Sequence, residues 1–141
     1  MKMYALLGLV LAAFLAACGS NSSEGEQGNA AAPAPSPKEL LATINAAYSG
    51  NGIQARREWG GKRVTVGGAF FSAGRNADGS TSVLVSPGDT PPTLGELNVG
   101  KKQDDFVAKL EKGKEVVMTC TVDPKTERFT TTFLDCVPVG V

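Results

Sequence analysis

Lys62-Arg63-Val64-Thr65-Val66-Gly67-Gly68-Ala69-Phe70-Phe71 decides the architecture of this chain. Val64, Val66, Gly68 and Phe70 fall on alternate positions, the two-residue period of a strand with one buried face. The Gly67-Gly68 pair in the middle is the expected place for a bulge or a sharp bend, because a strand glycine accommodates a bend or a closely approaching backbone. A strongly curved first strand is what a small closed barrel requires.

Outward from this stretch the chain keeps the strand period. Gly74 to Ser80 holds Asn76, Asp78 and Gly79, a turn signal, and 81–86 is the returning strand with Val83, Leu84 and Val85. Asn76, Asp78 and Ser80 also match a fragment of a calcium loop, but the downstream bidentate Glu is missing, so hairpin chemistry is the preferred reading. A Pro- and Gly-rich loop at 87–92 leads to a weak third strand at 93–99, carried by Leu94 and Leu97. Residues 103–112 read as a short helix, with Asp104 and Asp105 near its positive end, Phe106, Val107 and Leu110 inward and Gly113 as the stop. The clearest strand is 114–122, where Val116, Met118, Cys120 and Val122 alternate with Val117, Thr119 and Thr121. Asp123-Pro124-Lys125-Thr126 is a turn, and 128–139 is a last strand of Phe and Thr running to Cys136.

Before the first strand, Ser36-Pro37-Lys38-Glu39 announces a helix: Ser36 can cap backbone amides, Pro37 suits the first helical position and Glu39 can complete a capping box. Leu40, Leu41, Ile44, Ala47 and Tyr48 share one face, Ser49-Gly50-Asn51-Gly52 ends the helix, and 53–59 forms a second helical turn with Arg56 and Arg57 on its polar side. Residues 18–37 are a lipidated cysteine and a polar, Ala/Pro/Ser-rich tether that cannot bury enough apolar surface to order itself. The domain proper is 38–141, one small core.

Residues 1–17 are a secretory signal: a basic start at Lys2, an uncharged run from Tyr4 to Phe14, then small residues. The run is too short for a membrane span, which needs about 20 apolar residues. Leu15-Ala16-Ala17-Cys18 resembles a bacterial lipobox at all four positions. That resemblance implies cleavage before Cys18 and lipid attachment to it, hence a bacterial membrane lipoprotein. Gly19 in place of Asp resembles the pattern sorted to the outer membrane, facing the periplasm, in a Gram-negative host.

Lys and Arg total 14, Asp and Glu total 14, and there is no histidine. The balance argues against a polyanion partner, and the missing histidine removes the commonest general base and metal ligand. With no phosphate loop and no nucleophile elbow either, no catalytic residue, cofactor or metal centre is expected. Cys120 and Cys136 form an even pair in an exported chain and read as a disulfide, the other reading being two buried thiols. Closing a loop of about 15 residues would contribute roughly 3 kcal/mol. A tight hairpin at 123–126 would set Cys120 nearer Thr130 than Cys136, so the bridge requires a bulge or a longer loop.

The element order is that of a mainly β, α+β domain: a five-stranded OB-like barrel with an N-terminal helix and a short helix before strand 4. From about residue 38 it resembles the tRNA_anti-like family of OB-fold domains. The likeness is carried by Asn51, Ala55 and Trp59, by Gly61-Lys62-Arg63-Val64-Thr65-Val66-Gly67-Gly68, by Leu110-Glu111-Lys112-Gly113-Lys114-Glu115-Val116-Val117, and by Cys120 with Leu134-Asp135-Cys136. The expectation is a lipid-anchored, non-catalytic binding or scaffolding module that grips an envelope protein or polymer. Trp59, Arg63, Phe71 and Arg75, with Tyr48, are its candidate contacts. The alternatives are a single-stranded nucleic-acid binder, disfavoured by scarce aromatics and interleaved acids, and a spacer or inhibitor-like plug.

Overall fold

A computed structural model describes residues 33–88, 94–127 and 130–140. The signal segment 1–17, Cys18 and the tether as far as Ala32 lie outside the described residues.

The first element is α1 (Pro37–Trp59). Ser36 caps it by accepting a hydrogen bond from the Glu39 amide at 3.3 Å, while the Ser36 amide donates to Glu39 Oε2 at 2.8 Å. This reciprocal pairing satisfies two otherwise orphaned donors. The glycine-rich stop read in the sequence is a kink instead. Asn51 leaves helical geometry (φ −142°, ψ 88°), and its side chain accepts from the Gln54 amide at 3.1 Å, which restarts the helix. Leu41, Ile44, Tyr48 and Ala55 are buried, with Leu40 and Ala47 half-buried beside them.

Five strands follow: β1 (Arg63–Arg75), β2 (Thr81–Ser86), β3 (Leu94–Val99), β4 (Glu115–Val122) and β5 (Thr130–Pro138). They close into a barrel in the order β1-β2-β3-β5-β4, with β3 and β5 parallel and the other neighbours antiparallel. This is the OB-like topology the element order predicts. A 3₁₀ turn (Lys101–Gln103) and a four-residue α2 (Asp104–Val107) precede β4. The helix is shorter than the sequence pattern predicts, since 108–110 continues as turns, but Phe106, Val107 and Leu110 still pack toward the core.

Closure depends on how β1 changes partners. Over Arg63 to Ala69 it pairs with β4, and from Ala69 to Arg75 it pairs with β2. A strand that serves two neighbours in succession must curve. At Gly68 a Cβ would collide with the Ser86 carbonyl, and at Gly67 it would lie 2.9 Å from the Val116 carbonyl oxygen. The pair is therefore a place of close backbone approach. Of the bulge or sharp bend expected at the glycines, the bend is there, while the register slip falls further along, between Phe70 and Ser72, and makes Phe71 the extra residue.

Inside the barrel Val66, Val83, Val85, Leu97, Val99, Val116, Met118, Val122 and Phe133 form the core. Leu41 of α1 reaches into it over Gly95, where a Cβ would lie 2.7 Å from Leu41 Cδ1. Asn45 is buried on the same helix face, and its side-chain atoms have no hydrogen-bond partner among the described residues, like the Tyr48 hydroxyl. Burial pushes the Tyr48 phenol above its usual value.

Cys120 and Cys136 are bridged, with Cα atoms 4.2 Å apart. Both features the bridge requires are present. Val122 pairs with Phe133, so the β4–β5 connection is long, and between Thr119 and Thr121 the single residue Cys120 faces Asp135 and Cys136. Asp135 takes a left-handed conformation (φ 51°) to make this bulge. Thr126 is buried in the long loop and holds it to the barrel by hydrogen bonds at 3.2 Å with both the amide and the carbonyl of Thr132. The bridge spans 16 residues of sequence. A Cys120→Ala/Cys136→Ala chain is expected to lose about 3 kcal/mol in urea unfolding and about 12–24 °C in Tm. Reduction of the native protein should have an effect of similar size.

Candidate functional site

The outer face of β2 and β3 is the surface on which an OB barrel usually holds its ligand. Strand alternation buries Thr81, Val83 and Val85 and turns Ser82, Leu84 and Ser86 outward, and β3 likewise presents Leu94, Glu96 and Asn98. Ser82 lies opposite Asn98 and Leu84 opposite Glu96, with Ser72 and Thr132 flanking Leu84 and Glu96 on the next strands. The Ser82 hydroxyl donates to Glu96 Oε1 at 2.8 Å, and Asn76 Nδ2 donates to Asn98 Oδ1 and Ser80 Oγ, each at 2.9 Å. These outward positions hold hydroxyls, amides, aliphatics and one carboxylate, with no cation and no aromatic among them. A single nucleic-acid strand needs both.

Asp78 serves the hairpin. It accepts from the Ser80 amide at 2.9 Å and the Ser80 hydroxyl at 2.7 Å, and these bonds hold its carboxyl below the usual range. The Asn76, Asp78 and Ser80 pattern is thus a turn.

The candidate contacts read from the sequence are not brought into one site. Arg63 opens β1 and Arg75 closes it, separated by the bend and the bulge. Tyr48 is buried, which removes it as a contact, and Trp59 is half-buried against the core with Lys62 Nζ 5.4 Å from its ring centre. Arg56, Arg57, Lys62 and Arg63 are exposed near Trp59 in the chain. Of these, Arg56 alone lines a cleft of 630 Å³ between the α1 kink at 50–53 and Thr126 and Glu127 of the β4–β5 loop. Ile53 is 71% exposed at its edge.

Arg75 is committed elsewhere. Its guanidinium bonds Asp104 Oδ2 at 2.9 Å and the Gly79 carbonyl at 3.1 Å, and Thr81 donates to the other Asp104 oxygen at 3.0 Å. One carboxylate thereby ties the β1–β2 hairpin to α2. The aspartate pair read as a helix start does have that position, and the fork to Arg75 was beyond what local spacing could show.

Like Arg75, whose recess also holds Asp104, Phe71 has a formed recess beside it. Ejected by the bulge, it is 43% exposed, with Lys112 Nζ 5.1 Å from its ring centre. A recess of 270 Å³ adjoins it, lined by Ala69, Phe70, Ser86, Gly88, Leu94, Lys112 and Gly113. In the sequence Lys112 reads only as a late lysine of the short helix before Gly113 and as part of the Leu110–Val117 motif, not as a contact residue.

No protein-family model matches this chain, and no curated protein is matched. Among solved structures the chain is similar to a protein from Klebsiella pneumoniae subsp. pneumoniae MGH 78578, provisionally named a nucleic acid-binding lipoprotein. The identity is 19% and the TM-score 0.59, over 70% of this chain and 87% of that one. At that identity the likeness concerns the fold.

Asp104 is held below the ordinary carboxylate range first by the hydrogen bond from Arg75 and then by that from Thr81. A folded-state value below the unfolded one means that this stabilisation is full above about pH 4. It is lost as pH falls through the folded value. Asp104→Asn is therefore expected to lower stability at neutral pH and to flatten the acid limb of a stability-against-pH curve, checked by urea unfolding from neutral pH down into the acid range.

Proposed function

We propose that this chain is a lipid-anchored, non-catalytic binding module of the bacterial envelope. The single observation that carries the reading is a closed five-stranded, OB-like barrel on a chain in which Leu15-Ala16-Ala17-Cys18 resembles a lipobox at all four positions. The Cys120–Cys136 bridge fits an oxidising compartment, and the similar Klebsiella structure carries the word lipoprotein in its name. Gly19 favours the outer membrane and its periplasmic side. The motif set from Asn51 to Cys136 favours the tRNA_anti-like group of OB folds.

The neighbour's provisional name gives a specific reason to weigh nucleic acid as the ligand. The β2–β3 face weighs against it, since its outward residues supply neither a cation for phosphate nor a ring for stacking. A polypeptide or an uncharged envelope polymer suits that chemistry better.

Two measurements test the proposal. Intact mass and membrane fractionation should show a mature chain that begins at an acylated Cys18, and Cys18→Ala should leave the protein out of the membrane fraction; an unacylated native protein overturns the anchor. Photo-crosslinking in living cells, with a photoreactive residue at Trp59, Arg63, Phe71 or Leu84, should yield a discrete adduct from neighbouring positions. No adduct with protein or glycan from any position of the folded, membrane-bound chain contradicts the binding role.

A further inference from the structure

The recess beside Phe71 takes Ser86 and Leu94 from the end of the β2–β3 face and adds an aromatic ring and a lysine to them. Its walls come from the β1 bulge, the end of β2, the start of β3 and the turn before β4. Phe70 packs inward on the core while Phe71, the extra residue of the bulge, is turned out. Bulges commonly re-aim a side chain in this way next to a site of use. The floor of Ala69, Phe70 and Leu94 is apolar, and Gly88 and Gly113 on the rim have open space where a side chain would stand.

Size and charge narrow the occupant. At 270 Å³ the recess falls below the range of small-molecule pockets, about 300–1,000 Å³. It has room for one large apolar side chain together with the backbone that carries it. Among the described lining residues Lys112 is the charged one, and the turn from 109 to 114 on which it stands also carries exposed Lys109, Glu111 and Lys114. Lys112 holds its ammonium group over one face of the Phe71 ring, so a cation stands beside the apolar floor.

We propose that this recess docks an acidic-apolar peptide segment of a partner protein. One large apolar side chain of the partner enters the recess against Phe71, and an adjacent Asp or Glu pairs with Lys112 at its rim. The proposal deepens the binding-module reading and rests on it. It places the contact at the end of the β2–β3 face next to the β1 bulge, where Ser86 and Leu94 line the recess.

The test is fluorescence polarisation with the full lipidated chain in detergent and a short labelled peptide, Gly-Ser-Leu-Glu-Ser-Gly, beside versions carrying Gln for Glu and Ala for Leu. The Leu-Glu peptide should bind, with either replacement weakening it roughly tenfold. Lys112→Gln should bring the Glu and Gln peptides to equal affinity, Phe71→Ala should abolish binding of all three, and Ser82→Ala on the β2–β3 face should change nothing. The proposal is overturned if no peptide binds, if Lys112→Gln preserves the preference for Glu, if Phe71→Ala binds normally, or if a single-stranded oligonucleotide displaces the peptide. Crosslinks at Leu84 alongside any of these results would sink the recess and leave the binding module standing.

Discussion

The closing of the barrel at Gly67-Gly68 is the constraint on which the remaining structure depends. β1 must serve β4 with its first half and β2 with its second, and the hand-over leaves no room between Gly68 and the Ser86 backbone. Once that curve is made, β3 and β5 come together in parallel to seal the other side, and the valine-rich interior is removed from water on every strand. The curve also sets up the bulge at Phe71, because the register that suits β4 does not continue against β2. Fold and candidate recess therefore share one physical origin.

The disulfide and α1 stabilise this closed state from different sides. Cys120–Cys136 locks the second bulge, where β5 must meet both β3 and β4. Leu41 and Ile44 bury the apolar face of α1, but Asn45 and the Tyr48 hydroxyl are carried into the interior with no partner among the described residues. Buried polar groups without partners typically cost about 1–3 kcal/mol each. The helix is thus held by its aliphatic contacts against an opposing polar term, which makes it the less secure layer of the domain.

Much of the fold was legible because it is written locally. The alternation from Val116 to Val122 names both faces of β4, and Ser36 to Glu39 names the start of α1. The third strand reads weakly for a reason that lies far away: Gly95 occupies an inward position, and the side chain that fills the space is Leu41, more than fifty residues earlier. The glycines read as a bulge or a sharp bend: the bend is there and the bulge lies at Phe71, since register is settled by pairing with two partners and glycine marks where backbones approach. For the same reason the recess was legible as one exposed aromatic, and its lysine was not. Arg75 looked available in sequence and is held by Asp104, a contact between elements that no local pattern contains.

The measurement that bears most directly on the account is the unfolding free energy of Gly68→Ala set against Gly74→Ala on the same strand. Gly74 has open space at its Cβ position and lies beyond the hand-over. If close backbone approach at Gly68 closes the barrel, Gly68→Ala loses at least about 1–3 kcal/mol while Gly74→Ala stays within roughly 1 kcal/mol of the parent. Equal effects at the two positions would contradict that dependence, and with it the shared origin of the fold and the Phe71 recess.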